Sequence, residues 1–220
     1  MPLLLQDVNF EDGVPIANIY ISAFYDDPFN KTLFPGISFV KQVAGVISRW
    51  PGNYGSISAH YKKVIDSESG KIISYSKWSF AFTEAGGTLR EPQSIPDGVE
   101  IKPPSTPEGL NDPFAIAFTE KVDELRKRIL GDCPQLQLKM MGTHPSHQRQ
   151  GAASLQLSWA VDVADQHGLT CWVEASPVSV SVYQKFGFEV KGHVDSELDE
   201  SCGGGVYRYT CMLRQPKNVS

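Results

Sequence analysis

The run Gln148-Arg149-Gln150-Gly151-Ala152-Ala153 gathers what a chain needs to hold an anion on backbone donors. It follows a mostly apolar, strand-like stretch at 136–143 and opens a long segment of helical period that ends near His167-Gly168. The first amides of a helix have no partner within it, and the aligned peptide dipoles place partial positive charge at that end, so such a junction offers donors to a phosphate. A side chain at Gly151 would stand in the way of a phosphate approaching the backbone, and Ala152 and Ala153 keep the next turn small. Gln148 and Arg149 can add side-chain donors. The run lacks the Gly-Lys-Ser/Thr of a nucleotide-hydrolase phosphate loop and the GxGxxG of a dinucleotide site. Taken alone, it also reads as a plain loop-to-helix junction.

Other elements must position this junction. Residues 2–8 read as a first strand, and 10–12 lead into a helix with a broad apolar face from Val14 to Phe24. Asp26-Asp27-Pro28 should end it, because the residue before a proline disfavours helical geometry. Residues 39–50 read as a weaker helix stopped by Pro51-Gly52. Residues 60–66 and 71–82 read as an antiparallel pair joined through Ser67-Glu68-Ser69-Gly70. The stretch 84–111 is rich in proline and poor in large apolar residues, and reads as an insertion, either a surface loop or a lid. Asp112, as capping acid, and Pro113 then predict a helix start, with Phe114, Phe118, Val122, Leu125 and Ile129 on one face and Gly131 at the end. After the central helix, 170–175 reads as a strand. Ser176-Pro177 predicts a short helix running to Phe186 and stopped by Gly187. Strand character resumes at Phe188-Glu189-Val190, and 206–213 is a last strand.

Composition narrows the partners. The 220 residues fit a single domain, 1–220, with a substantial core. With 20 basic and 25 acidic residues the formal charge is −5, which gives no general attraction to nucleic acid or anionic lipid. A polyanionic ligand must then be gripped locally, and neither nucleic acid nor membrane is an expected partner. The first residues hold an apolar run far shorter than a signal-peptide core, and no stretch approaches the ~20 apolar residues of a membrane span. A cytoplasmic protein is expected, with the nucleus not excluded. Cys133, Cys171, Cys202 and Cys211 form no CxxC, and no Cys or His pair has ligand spacing, so reduced thiols and no metal site are expected.

Two pieces of the chain, in this order, resemble the GNAT superfamily of acyl-CoA N-acyltransferases. The family signature Gln/Arg-x-x-Gly-x-Gly/Ala after its fourth strand stands here as Gln148-Arg149-Gln150-Gly151-Ala152-Ala153. Its second signature, a strand, a short helix with a tyrosine and a Gly-Phe strand start, stands as Val173-Glu174-Ala175-Ser176-Pro177 and Tyr183-Gln184-Lys185-Phe186-Gly187-Phe188. The resemblance covers about 136–190. It implies an α/β (α+β) fold: a mixed, mostly antiparallel sheet of about six to seven strands with helices on both faces; the insertion at about 84–111 matches no part of it. It also implies acetyl-CoA as cofactor, with the pantetheine arm between splayed fourth and fifth strands. On that analogy the backbone of Met141, Gly142 and Thr143 pairs with pantetheine amides. The segment Gln148, Arg149, Gln150, Gly151, Ala152, Ala153 and Ser154 holds the pyrophosphate, and Ser176, Ser179 and Tyr183 complete the cofactor side.

The resemblance makes Tyr183 the candidate general acid, because a phenol can donate to sulfur; the plainer alternative is a helix tyrosine packing its ring. Many family members carry a Glu on or near the fourth strand, but 136–143 holds no carboxylate. Glu174 is then the candidate base, directly or through water, or else a structural carboxylate. His144 and His147 have a suitable intrinsic pKa or are surface groups, and bulk water is a further proton acceptor. Phe24, Tyr25, Asp26, Asp27 and Phe29 would suit a cationic, partly apolar amine, or are ordinary helix-end packing. The expected function is transfer of an acetyl group from acetyl-CoA to a primary amine of a small molecule or peptide. The rival is a noncatalytic acyl-CoA-binding module of the same fold. A protein-lysine modifier in a larger assembly has no basic tail, repeat or linker to support it. The acceptor, the acyl-chain preference and the oligomeric state stay open.

Overall fold

The computed structural model describes residues 2–84, 95–103 and 105–217. A seven-stranded sheet runs through it in the order β1-β2-β3-β4-β5-β7-β6. The strands are β1 Leu3–Asp7, β2 Ala59–Asp66, β3 Ile72–Ala81, β4 Gln135–Thr143, β5 Thr170–Ala175, β6 Glu189–Glu197 and β7 Val206–Arg214. Every neighbouring pair is antiparallel except β4–β5. The helices are α1 Gly13–Phe24, α2 Pro28–Leu33, α3 Phe39–Tyr54, α4 Asp112–Leu130, α5 Ala152–His167 and α6 Val180–Lys185. This is the mixed, mostly antiparallel α/β sheet expected from the sequence.

Alternation along the strands divides the core between two faces. Leu136, Leu138, Val173 and Met212 bury against Leu157, Ala160 and Ala164 of α5. On the other face, Ile16 and Ile19 of α1 and Trp50 and Tyr54 of α3 pack with Tyr61 and Tyr75. Val122 and Leu125 of α4 cover Trp172, Cys211 and Leu213 on that same face. The helix read over Phe114 to Ile129 therefore buries the expected stripe.

Several boundaries differ from the sequence reading, each for a local reason. Asp27 does more than end α1: its carboxylate accepts from the Phe29 amide at 2.9 Å and, with Pro28 in the first turn, caps the short helix α2. α3 runs through Pro51 to Tyr54 instead of stopping. Trp50 and Tyr54 are both buried there, with Trp50 Nε1 donating to the Phe10 carbonyl at 2.7 Å, and this anchoring outweighs the helix bond a proline removes. The cap of α4 is Asn111, which accepts from the Phe114 amide, and not Asp112. α6 begins at Val180, because Ser176 to Ser179 close a turn first, with the Ser179 amide on the Ser176 carbonyl at 2.9 Å. Part of the expected insertion, 85–94 and 104, lies outside the described residues. Its later part is tied to the first helices, through Lys41–Glu108 at 3.0 Å and the Asn111 amide on the Leu33 carbonyl at 2.8 Å.

One buried ion pair fastens the last strand. Arg214, 4% exposed, donates bidentately to Asp165 of α5 at 2.8 and 2.7 Å and through Nε to the Phe186 carbonyl after α6. That fork satisfies both charges, which a buried pair requires.

Candidate active site

β4 and β5 separate soon after they meet. Their pairing holds at Gln135↔Thr170, Leu136↔Cys171 and Gln137↔Trp172, while β4 continues to Thr143 and β5 to Ala175 without further partners across the gap. The bulge on β4 helps to open it. Lys77 pairs with Met140 and Trp78 with Leu138, which leaves Lys139 as the extra residue. A bulge bends and twists the strand that carries it.

At the end of β4 the chain makes a short 3-10 turn, Pro145–His147, and reaches α5 through two left-handed residues, Arg149 at φ 61° and Gly151 at φ 96°. Gly151 caps α5 with no side-chain bond, and the first helical bond runs from the Leu155 amide to the Gly151 carbonyl at 3.0 Å. The amides before it face outward with no partner in the helix. A Cβ on Gly151 would meet nothing within 4 Å. Glycine is favoured there by the backbone angle, and not by crowding from the protein. Gln148 and Gln150 brace the loop instead of pointing donors outward, bonding the Thr143 and Ser146 carbonyls at 3.3 and 3.5 Å. Arg149 is exposed and makes no ion pair among the described residues. These features fit the diphosphate of a coenzyme A.

A buried polar cluster that the sequence reading missed fixes the end of β4. Ser74 of β3 donates to the Gly142 carbonyl at 2.8 Å and accepts from Gln156 Nε2 of α5 at 2.8 Å. Its single proton is then used, so the 2.8 Å bond to Thr143 Oγ1 has the threonine as donor. Ser74 and Gln156 are both fully buried. The visible signal was Gln156, an amide in the middle of an otherwise apolar helix stripe. Gly142 itself is tightly covered: a Cβ there would lie 3.3 Å from Tyr75, 3.4 Å from Ala23 and 3.5 Å from Phe24.

Glu174 and Tyr183 flank the gap from opposite faces of the sheet. Glu174 shares the α4 face with Trp172, whose Nε1 donates to its Oε1, and Arg126 Nη1 of α4 lies 3.6 Å from the same oxygen. Burial pushes the Glu174 carboxyl above the ordinary range, opposed by the Trp172 bond and by Lys139 and Arg126. Arg126 and Lys139 were not foreseen as part of the site. Tyr183 lies on the α5 face, 5% exposed, with its ring edge-on to Phe188 at 5.6 Å. Burial and then the nearby Glu174 charge raise its pKa, partly offset by Ser179, so the phenol keeps its proton. Ser179 also bonds the Ser176 hydroxyl and carbonyl at 3.1 and 3.0 Å. Neither histidine accompanies Glu174: His144 is held by Ser146 at 2.8 Å, and His147 lies close enough to Asp66 at the end of β2 to act on its ionisation.

The five residues expected on the acceptor side separate. Phe24 packs edge-on to Tyr20 at 5.7 Å and lies over Gly142. Tyr25 packs on Phe39 at 5.5 Å, and Asp26 is exposed and pairs with Lys31 at 3.2 Å. Asp27 accepts from the Tyr207 hydroxyl at 2.8 Å besides capping α2. Phe29 is buried among Phe114, Phe118, Tyr207 and Tyr209, with ring separations of 4.8 to 5.5 Å.

Comparison with known proteins agrees with this geometry. The family described as an acetyltransferase (GNAT) domain matches residues 124–198, which run from the end of α4 through β4, α5, β5 and Tyr183 into the loop after β6. No curated protein matches the chain in sequence. Among solved structures, an acetyltransferase of Corynebacterium glutamicum described as histone acetyltransferase HPA2 and related acetyltransferase superposes with a TM-score of 0.63 at 16% identity, covering 99% of this chain and 98% of that one. The C-terminal condensation domain of Ebony, solved with β-alanyl-dopamine, gives 0.66 at 14%, covering 98% and 99%. A Drosophila melanogaster polyamine N-acetyltransferase gives 0.60 at 10%, covering 97% and 100%. The chain therefore has the fold of these acetyltransferases, and its 124–198 segment is similar to the GNAT acetyltransferase domain.

Proposed function

We propose that the chain transfers an acetyl group from acetyl-CoA to the primary amine of a small molecule or peptide. The observation that carries this reading is the gap that opens between β4 and β5 beyond Gln137 and Trp172, with the outward amides of α5 at its end. The free margin of β4 at Met141, Gly142 and Thr143 would pair with pantetheine, and the amides of 149–154 with Arg149 would hold the diphosphate. The bound thioester supplies an activated acyl carbon.

The protein's own groups then handle protons. The attack forms an N–C bond and breaks the C–S bond, and one amine proton must leave while the departing thiolate gains one. Glu174, ionised, takes the amine proton directly or through water. Its elevated pKa makes it a better base than an exposed carboxylate. Tyr183, kept protonated by burial, donates to the thiolate. Their placement on opposite faces separates the two transfers. Absence of a carboxylate on β4 is then no obstacle, because β5 supplies one.

The test is thiol release from acetyl-CoA with a panel of amines, read beside CoA binding by calorimetry. Amine-dependent release is expected, and binding with no release across a broad panel would leave a binder. Gly151→Glu should abolish CoA binding, since it adds negative charge at the cradle and a side chain at φ 96°. Unaltered CoA affinity in that variant would refute the cradle.

A further inference from the structure

A cavity of about 460 Å³ lies between α1, α3 and the later part of the insertion. That volume suits a small molecule. Ile21, Phe34 and Val46 make part of its wall apolar, and Tyr20, Lys41 and Arg49 add polar groups. Lys41 is committed to Glu108, also in the wall, and both side chains are largely exposed. Arg49 differs. It is half-buried, Asn53 bonds its backbone carbonyl at 3.2 Å, and among the described residues no carboxylate forms an ion pair with its guanidinium. Gly45 lies beneath it, where a Cβ would sit 3.4 Å from Nη1. Burial lowers the Arg49 pKa and raises that of Tyr20, and the two groups act on one another. A partly desolvated guanidinium is costly without an anion, and its planar fork matches a carboxylate.

The cavity backs onto the reaction site. Tyr20 stands in its wall and also packs edge-on to Phe24 and Tyr75, at 5.7 and 6.4 Å. Those two rings cover Gly142 near the open end of β4.

We propose that this cavity receives the acceptor and that Arg49 holds a carboxylate on it, so the acceptor is an amine that also bears a carboxylate and a modest apolar body, as an apolar α-amino acid does. This rests on the reading of the chain as an amine acetyltransferase. The carboxylate takes no part in the bonds made and broken; it fixes the molecule so that its amine faces the thioester. The chain's negative charge does not oppose such a ligand, because a zwitterion carries no net charge and the local field at Arg49 is positive.

The experiment uses the full chain with acetyl-CoA and matched pairs of acceptors: L-leucine against isoamylamine, and L-phenylalanine against phenethylamine. The acids should be acetylated with kcat/KM at least tenfold above the amines. Arg49→Gln should raise KM for the acids about tenfold and draw the acid-to-amine ratio towards one, with Arg49→Lys recovering part of it. Calorimetry with hydrocinnamate, which has the carboxylate but no amine, should show binding that Arg49→Gln weakens about tenfold. Amines acetylated as well as their acids, or an Arg49→Gln ratio equal to the parent's, would overturn the site while leaving the enzyme reading intact. No thiol release with any amine would instead sink the enzyme reading, and hydrocinnamate titration then decides the site alone: Arg49-dependent binding supports it, and no binding overturns it.

Discussion

In the proposed reaction two side chains divide the proton traffic, and each carries its own expectation. Tyr183→Phe removes a hydroxyl from a buried, well-packed ring, so the fold and the CoA affinity should change little. Turnover should fall about 100-fold, the lower end of what a general acid supplies. Steady-state kinetics beside a CoA titration check this, and an unchanged rate would remove Tyr183 from the acid role. Glu174 must be ionised to act, and burial raises its folded pKa. The rising limb of the pH–rate profile should therefore lie above the usual carboxylate range of about 4.3. Glu174→Gln should flatten that limb. Arg126 helps to hold the carboxyl down, so Arg126→Ala should move the limb to still higher pH; movement to lower pH would contradict the assignment.

Between elements, the consequential contacts are those that set the end of β4. Ser74→Ala strips a buried partner from Gln156, from Thr143 and from the Gly142 carbonyl at once. Urea unfolding should report a loss of about 1–3 kcal/mol, the cost of buried polar groups left unmade, and KM for acetyl-CoA should rise with it. A variant as stable as the parent, with unchanged KM, would mean that the strand end is set elsewhere. How far these elements were readable beforehand depended on whether their cause was local. The glycine at 151, the helix stops at 131 and 187 and the stripe of α4 are local chemistry, and they fall where the residues put them. The passage of α3 through Pro51 was not readable, because it is decided by Trp50 reaching Phe10 and Tyr54 being buried, contacts distant in sequence. The same holds in the site. The left-handed turn into α5 was legible from six consecutive residues, whereas Arg126, Lys139 and Ser74 come near the proposed site from α4, the β4 bulge and β3 only once the sheet is assembled. Asp27 and Phe29 looked like ligand-facing groups because composition does not reveal that Tyr207 and the aromatic residues of α4 would reach them.

For the molecule as a whole, acetyl-CoA should act as a stabiliser. A ligand that binds only the folded chain at about 100 times its Kd adds roughly 2.7 kcal/mol. For a domain of this size that corresponds to a rise in Tm of about 5–10 °C. Differential scanning fluorimetry with acetyl-CoA, and with adenosine as a control lacking the diphosphate, checks it; equal shifts from both would place the binding energy outside the cradle. No helix among the described residues is long and apolar enough to cross a membrane. Among the described residues the one parallel contact, β4 with β5, joins two antiparallel halves of the sheet, and Arg214 braces the second half against α5 and α6.

That joint leaves a length of strand margin inside the protein with nothing laddered to it. Ordinary proteins shield such margins, because bare peptide groups invite another chain. On the proposed reading the shield is a guest that brings its own amides. Hydrogen–deuterium exchange on the empty protein should accordingly find rapidly labelled amides in the heart of an otherwise protected sheet, at those positions of 138–143 whose amides point away from β3, and these should fall silent when coenzyme A is added.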